Sequence, residues 1–323
     1  LVLSTPWSRS LGLRVPIVNA PMGGVAGGRL AAAVTSAGGL GMVGMGSAGS
    51  AAALQAELRQ RGEVPRFGIG LVDWVVREQP ELFDAALAAR PTMLSLSFGD
   101  DFSWVSRAHD AGIVTVTQVY DDVTARRAQD AGVDVLVARG AEGGGHGEDR
   151  IGTLPLLDLV LDAVSVPVLA AGGIGSARSL AAVLAAGASG AWLGTCLSAC
   201  TEALTSDGAR RALIGAAGAD TVTTRVFDIG QGLRWPTRFG SRVLRNDFVV
   251  RWAGREDALG ADPTAGAALN AGIAADDPRT APVDAGQGVG LVTDVRPAGE
   301  VIETLCTGAE RLLAGWVHPR EQT

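Results

Sequence analysis

Lysine is missing from this chain, and all 27 of its basic residues are arginine. A Schiff-base lysine is therefore excluded from any mechanism. With 34 acidic residues and a net charge of −7, the chain offers no basic surface suited to nucleic acid or anionic lipid. Cysteine is scarce: Cys196, Cys200 and Cys306 form neither a disulfide framework nor paired metal ligands, and the one-turn spacing of Cys196 and Cys200 reads as a buried helix face. Of the three histidines, His109 and His318 lack ligand-type neighbours, so they read as surface residues and no metal site is expected. No run of about eighteen uninterrupted apolar residues occurs, and Leu1–Leu13 lacks the charged-then-apolar layout of a secretory signal. The expectation is a cytoplasmic protein with no membrane partner.

What the chain does have is apolar content, 47% against 19% charged, sufficient to fill a large core. Short β-rich runs alternate with helical stretches of ten to fifteen residues, the pattern of parallel βα units. Strands are expected near Pro16–Ala20, Leu40–Gly44, Phe67–Leu71, Met93–Ser97, Val114–Val119, Asp134–Ala138, Val168–Ala170 and Gly190–Leu193. These eight close an α/β fold of the TIM (β/α)8 barrel type. Asp121 and Asp122 mark a helix start, and Gly112 and Gly132 mark helix ends. Residues 1–206 read as the barrel. The irregular stretch 207–290, in which Phe227, Trp235, Phe239, Phe248 and Trp252 interleave with arginines, reads as an inserted lid or substrate subdomain after strand eight. Residues 291–323 read as a C-terminal helix, about Pro297–Leu313, returning to the barrel.

Two motifs carry chemistry. At Val137–Arg150, VARGAEGGGHGEDR, a strand runs into three consecutive glycines and then His146. The glycines remove side chains that would hold a planar ligand off the backbone, and imidazole is the group whose unperturbed pKa lies near neutrality. Downstream, a strand enters Gly172-Gly173-Ile174-Gly175-Ser176 and a helix over Ala177–Ala186, and the short form Gly194-Thr195 follows the next strand. Backbone N–H groups and a helix N-terminus there form a phosphate cradle without lysine or arginine, at the seventh and eighth strand ends where barrels commonly anchor phosphate.

Three stretches, LRVPIVNAPMGGVAGGRLAAAVTSAGGLGMVG at 13–44, DVLVARGAEGGGHGE at 134–148 and VPVLAAGGIGSARSLAAVLAAGASGAWLGTCLSACTEA at 166–203, resemble the nitronate monooxygenase family, formerly called 2-nitropropane dioxygenases. The resemblance spans roughly residues 13–315. It extends to a superfamily that includes FMN-dependent enoyl-acyl-carrier-protein reductases and NAD(P)H:quinone reductases. It implies FMN as cofactor, His146 as catalytic base or proton donor, and Gly144 and Gly145 against the flavin ring. It also implies Gly172, Gly173, Gly194 and Thr195 on the phosphate, the turn Ala20-Pro21-Met22-Gly23 along the isoalloxazine, and Gln118 and Arg139 at the flavin edge.

The chain departs from the family pattern at three places: Arg139 stands for glutamine, Gly70 for asparagine and Glu148 for glycine. An arginine at the flavin edge would stabilise negative charge on the reduced ring. Glu148 resembles the enoyl reductase branch. The implied reaction is FMN-dependent oxidation of nitronates and nitroalkanes by O2 to carbonyl compound and nitrite, with His146 as base for the neutral nitroalkane. The alternative is an FMN-dependent NAD(P)H:quinone or enoyl-thioester reductase, in which arginines 225–251 bind nicotinamide-cofactor phosphates instead of bracing the lid. A non-catalytic flavin-binding protein is the third reading, opposed by His146 beside its glycines. A homo-oligomer is compatible with all of these.

Overall fold

A computed structural model describes residues 3–317, so His318 lies outside the described residues. The strands are β1 Ile17–Asn19, β2 Met42–Gly44, β3 Gly68–Val72, β4 Met93–Ser97, β5 Val114–Val119, β6 Val135–Arg139, β7 Gly145–Gly147, β8 Val168–Ala171, β9 Gly190–Leu193, β10 Thr221–Thr224 and β11 Gly240–Leu244. Eight of them form one parallel sheet in the order β1-β9-β8-β6-β5-β4-β3-β2. These are the eight strands expected from the sequence, and they form a TIM barrel. β6 and β8 are buried along their whole length, as continuous apolar runs in a doubly covered parallel sheet must be.

The seam between β1 and β2 has an unusual closure. A single parallel bridge joins Val18 to Leu40. Beyond it the buried Asn19 side chain replaces the ladder: Nδ2 donates to the Met42 carbonyl at 2.9 Å, and Oδ1 accepts the Met42 N–H at 2.7 Å. A side-chain amide carries the same donor and acceptor as a peptide unit, so it can stand in for one. Inside the barrel, Val18, Met42, Met93, Val116, Val137, Leu169 and Trp192 pack together with Trp7 from the helix Pro6–Ser10. Between the strands and the outer helices lies the larger core.

Helix ends follow the sequence signals. Asp121 caps Asp122–Asp130 through Thr124 N–H, and Gly112 and Gly132 adopt φ of +71° and +90° just past helix ends, a region that a Cβ disfavours. Cys196 and Cys200 depart from the expectation: Cys196 lies in the one-turn helix Thr195–Ser198 and Cys200 beyond its end, so they do not share a helix face. Burial pushes both thiols up to about 12. His109 is exposed and pairs with Asp134 at 2.9 Å.

After β9 the chain forms the helices Asp207–Ile214, Val226–Gln231, Asp247–Trp252, Glu256–Gly260 and Pro263–Ala274 together with β10 and β11. Val226, Phe227, Phe248, Val249, Trp252, Leu259 and Leu269 give this stretch a small core of its own. β11 pairs antiparallel with β10 on one side and with β7 on the other. The last helix, Ala298–Val317, packs against the helices Ala177–Ala185 and Gly28–Ser36 and completes the ring. No helix among the described residues is long and apolar enough to cross a membrane.

Replacing Asn19 by alanine should leave the Met42 N–H and carbonyl buried without partners, at about 2 to 5 kcal/mol for the two groups together. The expected result is a large drop in the urea midpoint at unchanged slope. A midpoint equal to that of the parent protein would show that the seam does not depend on this amide.

Candidate active site

The carboxyl ends of the barrel strands open into a cavity of about 950 Å³. Every residue expected at the site lines it: Ala20, Pro21, Met22 and Gly23 at the end of β1, Gln118 on β5, Arg139, Gly144, Gly145 and His146 from β6 to β7, Gly172 and Gly173 after β8, and Gly194 and Thr195 after β9. The β1 turn rests directly on bare backbone. A Cβ at Gly44 would lie 2.3 Å from the Pro21 carbonyl, and one at Gly70 would lie 2.2 Å from the Pro21 ring. Gly70 is therefore glycine for a steric reason: with Pro21 where it is, an asparagine at 70 has no room.

The glycine-rich loop makes room first of all for protein. Arg139 is buried at the end of β6, and its Nη2 donates to the carbonyls of Gly143, Gly144 and Gly145 at 2.9, 3.1 and 2.9 Å. Nη1 reaches the carbonyls of Glu148 and Gly140 at 3.3 and 3.4 Å. A Cβ at Gly147 would lie 2.4 Å from the Arg139 guanidinium carbon, and one at Gly144 would lie 2.5 Å from the Gly286 nitrogen. The loop thus wraps the guanidinium, whose planar fork of donors suits several carbonyls at once. The expectation of Arg139 as a charge at a flavin edge changes accordingly: its donors face the loop that carries His146.

His146 itself lies on β7, opposite Ser241 of β11. Its Nε2 is 2.9 Å from Oδ1 of Asp228, and its ring stacks on Trp235 with centroids 3.6 Å apart and planes 7° from parallel. Trp235 is fixed in turn by an Nε1–H bond to Ser47 Oγ at 2.9 Å and by edge contacts with Phe98 and Trp74. Phe98, at the end of β4, has φ of +72°, a strained position for a bulky residue and one that clusters at functional sites. Asp284 lines the cavity and accepts a hydrogen bond from Ser241 Oγ at 2.8 Å. Desolvation within the cavity wall pushes its carboxyl pKa up, against the pull of His146 and of the Ser241 hydrogen bond.

Sequence reasoning missed Asp228, Trp235 and Asp284. Each stands in the irregular stretch after β9, far along the chain from His146; the arginine–aromatic interleaving marks Trp235 only as part of a lid, and no local pattern marks the two aspartates. Three arginines of that stretch are engaged with the barrel and its loops: Arg234 pairs with Glu78 at 2.9 Å, Arg238 with Asp100 at 2.8 Å, and Arg242 Nε–H donates to the Ala141 carbonyl at 2.9 Å. Glu148 faces Arg150 at 2.6 Å and Arg238 at 4.0 Å, and does not line the cavity.

On the opposite wall, Gly172 and Gly173 have φ of +108° and +69°. The helix Ala177–Ala185 is closed by its own capping box, in which the Ser176 and Ser179 hydroxyls accept the N–H groups of Ser179, Ser176 and Gly175. Gly172, Gly173, Ile174 and Gly175, ahead of the cap, line the cavity. β8 and β9 are neighbours, so Gly194-Thr195 adjoins them, with Thr195 Oγ1 accepting the Gly286 N–H at 2.9 Å.

A parallel barrel whose strand ends frame a glycine-floored cavity with one half-buried imidazole has the build of a β/α-barrel enzyme. Residues 79–308 match the family described as nitronate monooxygenase. The chain is similar to the nitronate monooxygenase of Paraburkholderia phytofirmans, at 33% identity over 301 residues, covering 78% of this chain and 77% of that protein. It is also similar, at 31% identity over 266 residues covering 77% and 68%, to the (3aS,4S,5R,7aS)-5-hydroxy-7a-methyl-1-oxo-octahydro-1H-indene-4-carboxyl-CoA dehydrogenase of Mycobacterium tuberculosis. Among solved structures, the nitroalkane oxidase of Streptomyces ansochromogenes superimposes with a TM-score of 0.79 at 29% identity, over 96% of this chain and 99% of that one. FabK from Thermotoga maritima, at 24% identity, shares the fold with a TM-score of 0.85 over 98% and 99%. The chain belongs to the nitronate monooxygenase family and is an oxidoreductase.

Replacing Arg139 by lysine keeps the charge but removes the fork, so one ammonium must serve several carbonyls. Amide hydrogen exchange in peptides covering 140–150 should then speed up by about tenfold or more, equivalent to about 1.4 kcal/mol of lost protection, while the barrel strands keep theirs. Unchanged exchange in that loop would show that the guanidinium is not what holds it.

Proposed function

We propose that the protein oxidises nitronates and nitroalkanes with O2 to carbonyl compound and nitrite, that it uses FMN, and that His146 is the base that deprotonates the neutral nitroalkane. The observation that carries this reading is His146 itself, an imidazole lining the cavity at the strand ends of a barrel of this family. The relatives named for nitronate and nitroalkane oxidation support the substrate class.

The residues present fit FMN. The cavity of about 950 Å³ lies within the range of cofactor and substrate sites. Gly172, Gly173, Gly194 and Thr195 would hold the phosphate, where bare backbone offers N–H groups without a lysine. The Ala20–Gly23 turn and Gly144-Gly145 would border the ring, with Gln118 facing its polar edge. Bound there, FMN would supply the redox chemistry that couples substrate oxidation to O2. His146 takes the proton from the carbon bearing the nitro group, and a nitronate that arrives already deprotonated needs no such step.

Two experiments test the reading. Flavin extracted from the purified protein should be FMN, and Gly173→Val should lose it while the barrel stays folded, because valine disfavours φ of +69° and its Cβ would crowd Glu142 at 3.2 Å. Full FMN occupancy in that variant would place the phosphate elsewhere, and recovery of FAD would sink the cofactor. The second variant, His146→Asn, should keep FMN and near-normal turnover of preformed nitronate, yet lose roughly 100-fold or more on the neutral nitroalkane. Wild-type turnover of nitroalkane by this variant excludes His146 as the base. Rapid flavin reduction by NADH or NADPH, with no oxidation of either nitro substrate, would replace the reading with a reductase.

A further inference from the structure

Asp228 is the one hydrogen-bond partner of the His146 imidazole among the described residues, and it comes from 82 positions along the chain. Its side chain is 4% exposed, and its second oxygen, Oδ2, has no hydrogen-bond partner among the described residues. A carboxylate oxygen can only accept, so the proton of this contact lies on Nε2. The neutral ring then carries its lone pair on Nδ1. We propose that Asp228 is a positioning residue that fixes this tautomer, so that Nδ1 is the nitrogen that takes the substrate proton. The kinetic half of this proposal rests on His146 being the base.

The other groups around the ring leave this role to Asp228. Trp235 covers one face and offers no acceptor to either nitrogen, since its own N–H is directed to Ser47. Asp284 is held by the Ser241 hydroxyl, and the Arg139 donors face the loop carbonyls. In the proton-transfer step the carbon–hydrogen bond next to the nitro group breaks and an Nδ1–H bond forms. The electron pair passes to the nitro oxygens, and nothing is oxidised or reduced. The imidazolium so formed stands between a buried carboxylate and the face of an indole, and both favour positive charge. A preformed nitronate skips the step and draws no benefit from Asp228.

The chain's three histidines make the tautomer directly readable. In flavin-loaded protein labelled with 15N-histidine, long-range proton–nitrogen NMR should show His146, assigned by its loss in His146→Asn, with a proton on Nε2 and a bare Nδ1. Asp228→Asn, whose amide can donate as well as accept, should mix the two tautomers. The same variant should lose roughly 100-fold on neutral nitroalkane and keep its rate on preformed nitronate, with partial recovery in Asp228→Glu. A wild-type spectrum with the proton on Nδ1 overturns the proposal, whatever the variants do. So does an Asp228→Asn protein that keeps the Nε2–H form, or one that loses both substrates equally with FMN in place, the mark of a merely structural residue. If the wild-type protein oxidises neither substrate, the reading of His146 as base fails with the kinetic half, while the spectrum still decides the tautomer.

Discussion

Three residue pairs join the barrel to the chain inserted after β9: Gly145 with Arg242, His146 with Ser241, and Gly147 with Gly240. This short antiparallel contact fixes the register of His146, and in a β-pair a slip of one residue sends every side chain to the opposite face. With the register set, Ser241 holds Asp284 beside the imidazole, and the chain between β10 and β11 brings Asp228 and Trp235 to its nitrogen and its face. A strand as short as β7 is marginal by its own pairing. The other support is Arg139, which binds the loop's carbonyls from the barrel side. The histidine is thus held from two directions, by the β11 ladder and by the Arg139 guanidinium.

The barrel contributes a floor of backbone. Gly44 and Gly70 let the Ala20–Gly23 turn lie against β2 and β3 at distances no side chain permits, and the Asn19 amide closes the seam directly beneath that turn. These positions are linked: a side chain at 70 would displace Pro21, and displacement of Pro21 would move the turn that borders the cavity. A departure from the family pattern at Gly70 is therefore better understood as part of the packing of this turn than as a missing ligand.

The sequence made the barrel legible because each strand is a short apolar run and each helix carries its own start and stop signals, as at Asp121 and Gly132. The cavity-lining glycines were legible for the same reason, since they follow strand ends in order. Asp228 and Asp284 were not. Neither repeats, neither sits in a motif, and each acquires meaning only when β11 pairs with β7, a contact between segments almost a hundred residues apart. Arg139 was located but its role was not, because whether a guanidinium faces a cofactor or its own loop depends on the path of that loop in space. The triple glycine hid this: its bare backbone accommodates Arg139 and Gly286 before any ligand.

The charged groups at the barrel mouth differ in how they are compensated. Arg139 is surrounded by carbonyls and Asp284 is held by a hydroxyl, so both are satisfied by fixed groups of the protein. Asp228 has only the imidazole. A buried carboxylate with a single hydrogen-bond partner depends on that contact to offset its desolvation. The carboxylate belongs to the inserted stretch and the imidazole to the barrel loop, so their contact forms only when the insertion is docked on the barrel. Barrels of similar shape and low identity share the platform, while the proposed choice of reacting nitrogen rests on a residue outside it, so likeness of fold alone does not carry the reaction.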